Sequence, residues 1–341
     1  MAAQPVADAA DAAIGALLAR SGRGGKAFVA EPLAAGGNNR VFRVLVGNER
    51  LIAKWYYHSE RDSRDRLRSE FAFLGHAWSA GLRCVPRPLD CDADRHLGLY
   101  EYVEGRRLGA EEVNRDRVLE AARFFAALNE AFSRQRAAAL PAASEACFSV
   151  TEHLDMVDAR LARFADMQVA SSVDREAAAF VGELRHAWST HRRRILSAAP
   201  NPGEALPERW RCLSPSDFGF HNALLRPDGA LCFLDFEYAG WDDPAKGFGD
   251  FFAHPGYPVP REHLNAFVRA AAAPFEDSAA LIERARLLEP VFRVKWCCII
   301  LNEFLAEAAY RRRFAKPDLD PEASKVAQLE KAKRLAGNLD V

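Results

Sequence analysis

The chain has 341 residues, 49% hydrophobic and 27% charged, a balance that supports a sizeable buried core and excludes a disordered composition. That length exceeds one ordinary domain and falls short of three. Its 46 basic and 47 acidic residues leave a formal net charge of -1, so no overall field draws the chain to nucleic acid or to an anionic membrane, and neither is expected as a partner.

In chain order, the apolar spacing predicts a short leading helix at 10–20, within a leader of residues 1–24. The leader is rich in alanine but carries Asp8 and Asp11 and lacks a basic segment before an apolar core, so a secretory signal is not expected. Residues 27–32, 41–46 and 51–57 are short apolar and β-branched runs separated by Gly36-Gly37-Asn38-Asn39 and by Gly47-Asn48-Glu49-Arg50. Such punctuation predicts antiparallel strands joined by turns. Residues 62–80 take helical spacing, with Leu67, Phe71, Leu74 and Trp78 on one face. Strand character returns at 85–89 and 96–103. Beyond Gly105 the pattern is mostly helical: one long helix at 110–132, then helices at 148–165 and 175–196. A proline-rich loop follows at 200–209, then two short apolar runs at 212–213 and 231–236, and helices resume from 261. The division expected from this order is a sheet-bearing part at 25–104 and a mainly helical part at 105–341.

Seven scattered cysteines without a CxxC pair argue against a zinc site or a disulfide framework and suit a reduced, cytoplasmic chain. The basic clusters His191-Arg192-Arg193-Arg194 and Arg311-Arg312-Arg313 fall in helical patterns and are expected as solvated helix faces. The apolar stretch at 296–305 includes Glu303 and is too short to span a bilayer, so a buried core helix is expected.

The chemistry concentrates between Ser216 and Pro244. Asp217 and Asn222 stand five apart in a loop with Gly219, just before an apolar run. Asp235 ends the next apolar run, and Arg226-Pro-Asp-Gly229 between them reads as a hairpin turn. A hairpin would bring Asn222 and Asp235 together. A carboxylate and an amide oxygen so placed can hold Mg²⁺, which prefers oxygen ligands. A second carboxylate in the preceding loop can accept the proton of a hydroxyl nucleophile.

This segment resembles the Asp-x-x-x-x-Asn loop and following metal-binding Asp of the aminoglycoside phosphotransferase and choline kinase family, relatives of protein kinases. Asp235-Phe-Glu-Tyr-Ala-Gly-Trp-Asp-Asp-Pro244 is similar to the family's segment after that Asp, and Asp250 resembles a structural Asp that often follows, here after two extra residues. Lys54 in a strand-like run looks like the lysine that contacts the α/β-phosphates of ATP, and Glu70 in the next helix looks like its ion-pair partner. Gly36, Gly37, Asn38 and Asn39 resemble the short nucleotide loop, and Glu101, Tyr102 and Val103 the inter-lobe segment whose backbone binds adenine. The resemblance covers about residues 27–255. It departs from the family at Pro215-Ser216, where His-Gly is usual before the catalytic Asp and the histidine often buttresses the loop; a proline can stiffen it instead. No activation segment ending in Ala-Pro-Glu is visible, which argues against a protein substrate.

The resemblance implies an α+β, two-lobed protein-kinase-like fold, with a small antiparallel-sheet lobe and a larger, mainly helical lobe. It implies an ATP- and Mg²⁺-dependent kinase acting on a hydroxyl of a small molecule: a sugar, an aminoglycoside-like compound or an amino alcohol. Asp217 would be the catalytic base and Asn222 and Asp235 the metal ligands. Glu237, Asp242 and Asp243 are expected on the acceptor side or in the loop's scaffold. His221, beside Asn222, suits loop packing or a catalytic part. The alternative is a nucleotide-binding pseudokinase that acts as a scaffold, motivated by Pro215-Ser216 and opposed by the intact Lys54, Asp217, Asn222 and Asp235.

Overall fold

The computed structural model describes residues 4–33, 39–58, 64–305, 320–337 and 339. The chain divides into two compact units, each built from separate stretches. The first comprises residues 1–109, 127–144 and 215–241, the second 110–126, 145–214 and 242–341.

In the first unit, helix α1 (Gln4–Leu18) precedes strands β1 (Phe28–Leu33), β2 (Arg40–Val46) and β3 (Glu49–Trp55). Helix α2 (Arg66–Ser79) follows, then β4 (Pro88–Asp92) and β5 (Leu97–Glu101). The five strands form one antiparallel sheet in the order β1-β2-β3-β5-β4. Gly47-Asn48 closes the β2–β3 hairpin with Val46 opposite Glu49, a two-residue connection suited to the strand twist. Ala13, Ile14, Leu17 and Leu18 of α1 bury against Val44, Val46, Leu51, Ala53, Leu97 and Leu99 of the sheet, so α1 forms a core with the strands.

Asp65 caps α2 by accepting from Arg68 N at 3.0 Å, which satisfies an otherwise unpaired first-turn donor. The buried stripe of α2 is Leu67, Glu70, Phe73, Leu74 and Ala77. Phe71 and Trp78 sit at its margins, half-buried, so the face is rotated from the expected one and places a carboxylate in its centre.

The chain returns to this unit through Pro215, with strands β7 (Ala223–Leu225) and β8 (Leu231–Phe233) paired antiparallel. β6 (Cys212–Ser214) precedes them and β9 (Gly240–Asp242) follows. The β7–β8 turn is the expected one: Gly229 takes φ 83°, open to glycine at little cost, and its N–H donates to Arg226 O at 2.9 Å. Residues just after Gly105 clamp this hairpin. Arg106 N donates to Leu225 O at 3.0 Å and Leu225 N to Arg106 O at 2.7 Å.

The stretch 110–132 is not one helix. A 3₁₀ turn (Ala110–Glu112), α3 (Arg115–Leu128) and α4 (Ala131–Arg136) divide it. Asn114 Oδ1 accepts from Asp116 N and Arg117 N, an N-cap that starts a new helix. The second unit is mainly helical, with α5 (Val150–Ala162), α6 (Ser172–Ala198), α7 (Pro244–Ala253), α8 (Leu264–Ala272), α9 (Ser278–Leu301) and α10 (Pro321–Ala336). Capping boxes at Ser149/Glu152 and Ser171/Asp174 start α5 and α6. α9 packs against α5, α6, α7, α8 and α10. The expected core helix is the end of α9, which gives way to a 3₁₀ turn at Asn302–Phe304 with Glu303 buried.

Arg193 and Arg194 are exposed on α6, while Arg192 pairs with Asp158 at 2.9 Å. Arg311, Arg312 and Arg313 lie outside the described residues. None of the seven cysteines forms a disulfide, and burial pushes the Cys147, Cys232 and Cys298 thiols up to about 12. No described helix is long and apolar enough to cross a membrane.

Candidate active site

Lys54 is the second-to-last residue of β3, opposite Gly98 of β5. Its ammonium is buried among three carboxylates, 2.7 Å from Glu70, 2.5 Å from Asp235 and 3.7 Å from Glu237. Burial works against the charged lysine, but the attraction of Glu70, Asp235 and Glu237 outweighs it and raises Lys54 above its ordinary value. Burial lifts Glu70 above the ordinary carboxylate range, opposed by the Lys54 charge and by hydrogen bonds from Lys54 and Tyr56. Tyr56 Oη donates to Glu70 Oε2 at 2.7 Å and lies 2.7 Å from Tyr100 Oη. On its other oxygen, Glu70 accepts from Phe236 N at 3.3 Å.

Glu70 therefore ties α2 both to β3 and to the backbone beside Asp235. Phe73 reinforces the link by stacking on Phe236, with centroids 4.7 Å apart. Asp235 itself takes φ 65°, a left-handed conformation that costs a non-glycine residue roughly 1 kcal/mol and that the surrounding bonds sustain. Its side chain is 43% exposed, against 6% for Glu70 and 5% for Glu237, so Asp235 is the carboxylate of the group that solvent and ligands reach.

The other expected residues gather on the same hairpin. Leu234 N donates to Asn222 O at 2.8 Å, which sets Asn222 and Asp235 on neighbouring strand ends as the hairpin reading required. Asn222 Nδ2 donates to Asp217 O at 3.0 Å and reaches Asp217 Oδ2 at 3.4 Å, leaving the amide oxygen as the group a metal would use. His221 Nε2 lies 3.2 Å from Asp217 Oδ1. Ser216, in the position where the resembled family has glycine, takes φ 64°, and Phe218 N closes the turn onto Ser216 O at 2.6 Å.

Of the nucleotide-loop residues, Gly36, Gly37 and Asn38 lie outside the described residues. Asn39 accepts from Tyr57 N at 3.1 Å and donates to Glu237. Glu101 ends β5, where its N–H donates to Arg87 O at 2.9 Å and its carboxylate accepts from Arg87 N at 3.2 Å. Tyr102 carries the Arg50 guanidinium 4.8 Å from its ring centroid, and Val103 follows, half-buried.

Of the two placements expected for Glu237, Asp242 and Asp243, acceptor side or scaffold, their burial suits the second. Glu237 is buried against Lys54, Asn39 and Arg66, whose Nε is 3.8 Å away, and so belongs to the lysine's surroundings. Asp242 and Asp243, in the second unit, are fully buried. Asp242 pairs with Lys246 at 2.5 Å and accepts from Cys147 N. Asp243 caps α7 through Ala245 N and accepts from His153 Nε2 at 3.0 Å and Arg284 Nε at 2.7 Å. Burial alone would raise Asp243, but the His153 hydrogen bond and the Arg284 charge outweigh it and hold the carboxyl at about 2. With every oxygen committed inside the fold, this pair is scaffold. Asp250 is likewise internal, bonded to Lys295 Nζ and Trp296 Nε1.

Tyr56, Arg66, Tyr100 and Arg107 also contact these residues, with no expectation from the sequence attached to them. Arg107 Nη1 donates to His221 O at 2.7 Å. Tyr56, two residues after Lys54 and just past the end of β3, carried a usable period-2 signal; Arg107 carried none.

The model of the phosphotransferase enzyme family, APH, matches residues 29–288. The chain belongs to this family. Among solved structures, the phosphotransferase is similar to a choline/ethanolamine kinase family protein from Mesorhizobium loti, at 19% identity and a TM-score of 0.58 over 97% of this chain and 94% of that one. It is similar to the choline kinase LicA from Streptococcus pneumoniae, at 14% identity and a TM-score of 0.55 over 91% and 94% of the two chains. It is also similar to a spectinomycin phosphotransferase solved with ADP and spectinomycin, at 10% identity and a TM-score of 0.55 over 91% and 93%. At these identities the likeness establishes the kinase-like α+β fold. No curated protein matches the sequence.

Proposed function

We propose that this phosphotransferase moves the γ-phosphoryl group of ATP to a hydroxyl of a small molecule. The observation that carries the reading is the buried Lys54 ammonium held between Glu70 and Asp235, on the same unit as the Asp217–Asn222 loop. On this reading Lys54, oriented by Glu70, pairs with the α/β-phosphates, and the Glu101–Val103 backbone takes adenine.

Asp235 and Asn222 offer oxygen donors, which suit a hard cation, while Glu70 and Glu237, whose carboxylates lie near Asp235, are taken up by the Lys54 ammonium. Asp235 and the Asn222 amide oxygen would hold Mg²⁺, which supplies charge neutralisation at the phosphates when bound. Asp217 accepts the proton of the acceptor hydroxyl as its oxygen bonds to the γ-phosphorus. The bond to the β–γ bridging oxygen breaks, and ADP leaves. The protein mainly positions groups and offsets charge in such a transfer.

Amino alcohols and amino sugars head the acceptor classes, because the neighbouring folds include choline and ethanolamine kinases and a spectinomycin phosphotransferase; a neutral sugar is the other class. Use of ATP and cysteines free of disulfides suit a cytoplasmic enzyme. ADP release from Mg-ATP across a panel of amino alcohols, aminoglycosides and sugars tests the reading. Acceptor-dependent ADP formation that disappears in Asp217→Ala is the expected result; a panel hit that survives this substitution refutes the assignment of the base.

A further inference from the structure

His221 is more than loop filling. A carboxylate only accepts hydrogen bonds, so the 3.2 Å contact between His221 Nε2 and Asp217 Oδ1 requires the proton on Nε2. The histidine is held from two further directions, once at its backbone and once at its ring. Arg107 Nη1 donates to the His221 carbonyl at 2.7 Å, and the ring lies flush on Gly219. A Cβ built on Gly219 would come 2.7 Å from His221 Nδ1 and 2.9 Å from Cε1, and among the described residues beyond its chain neighbours it meets no other within 4 Å. Gly219 has φ 171°, extended backbone that any residue adopts. Its lack of a side chain thus makes room for the histidine ring and serves no backbone need.

We infer that His221 is a positioning residue for Asp217. It engages Oδ1 and leaves Oδ2, which Asn222 Nδ2 reaches at 3.4 Å, to take the acceptor proton, with Arg107 holding its backbone and Gly219 seating its ring. The inference rests on the proposed role of Asp217 as base. It gives the loop a buttress from inside its own sequence, four residues after the carboxylate.

The test uses the full-length chain. In ¹⁵N-labelled protein, the His221 imidazole is expected as the Nε2–H form in the wild type and as a mixed population in Gly219→Ala; an Nδ1–H form in the wild type overturns the inference without reference to activity. In turnover of Mg-ATP with a panel acceptor or with water, His221→Ala is expected to lower kcat about 10- to 100-fold with KM for ATP unchanged. His221→Gln, whose amide nitrogen reaches the same place, restores most of the loss. Gly219→Ala is expected to match His221→Ala and to add nothing in the His221→Ala background, because the methyl acts only on the ring. Wild-type kcat in His221→Ala, or losses that multiply in the double variant, overturns the inference. Wild-type kcat in Asp217→Ala instead overturns the assigned base, while the tautomer measurement still decides whether His221 bonds Asp217.

Discussion

Lys54 and Glu70 meet at 2.7 Å inside the first unit, and Glu70 passes the contact on to the Phe236 amide. The pair therefore does two things at once: it aims an ammonium at the place assigned to the phosphates and anchors the residue after Asp235. Lys54→Met is expected to cut turnover about 10²- to 10³-fold, by analogy with the loss of one preorganised charge donor. The fold should survive, because burial already favours a protonated Glu70. Glu70→Ala strips Tyr56, Lys54 and Phe236 of a shared acceptor and is expected to cost about 3 kcal/mol of stability as well. Urea unfolding alongside kinetics separates the two; equal stability losses in both variants would contradict the anchoring role.

Asp217 and Asp235 are expected to fail differently. Asp217→Asn should lower kcat roughly 10²- to 10⁴-fold while Mg-ATP still raises the melting temperature. Asp235→Ala should abolish the Mg²⁺ dependence of nucleotide binding. Titration calorimetry with ATP, with and without Mg²⁺, reads both outcomes.

Ser216 holds φ 64° at a position flanked by Pro215. Left-handed backbone is hardest for β-branched residues. Ser216→Val is expected to destabilise the chain by about 1–2 kcal/mol and to depress kcat by disturbing Asp217, whereas Ser216→Gly should keep near-wild-type kcat. A Ser216→Val variant as active as Ser216→Gly would show that the turn tolerates another conformation.

Asp243 makes stability depend on acid. Its folded value, about 2, lies below its ordinary 3.8, so the unfolded chain takes up the proton first. The contribution, about 2 kcal/mol, is present above pH 4 and is lost as pH falls from about 4 to 2. Urea midpoints at pH 6 and pH 3 should drop more in the wild type than in Asp243→Asn, which still caps α7 but carries no charge to titrate.

The strands at 28–55, α2 and the β7–β8 hairpin were legible because their signals are local: short apolar and β-branched runs, turn glycines, a helical spacing. Asn222 and Asp235 were legible because residue type and spacing point to one chemistry, and the hairpin places them on neighbouring strand ends; Lys54 and Glu70 were singled out by the family resemblance, and they meet at 2.7 Å. Asp242 and Asp243 were not, since two adjacent acids read alike on a surface or in a core. What decides between these is His153 and Arg284, 90 and 41 residues from Asp243. The rotation of the α2 stripe escaped for a similar reason: Glu70 is tolerated in the buried face because Lys54 of β3, Tyr56 just after it and the distant Phe236 amide bond its carboxylate. The break at Asn114 was readable, as an asparagine with free amides two and three residues on is a standard cap, but the apolar period running through it spoke louder.

The first unit's three stretches have a consequence for how the chain is made. Lys54 and Glu70 leave the ribosome early, yet their partners Asp235, Phe236 and Glu237 emerge only after residues 145–214, which fold elsewhere. Through that interval the carboxylate and ammonium have each other and Tyr56 but neither Asp235 nor the Phe236 amide, and the stacking partner of Phe73 does not yet exist. Domains usually complete in order as they are synthesised; here the sheet-bearing half closes late, on a segment that also brings Asp217 and Asn222. The segment that completes this half in sequence order is thus the same one that carries the Asp217–Asn222 loop.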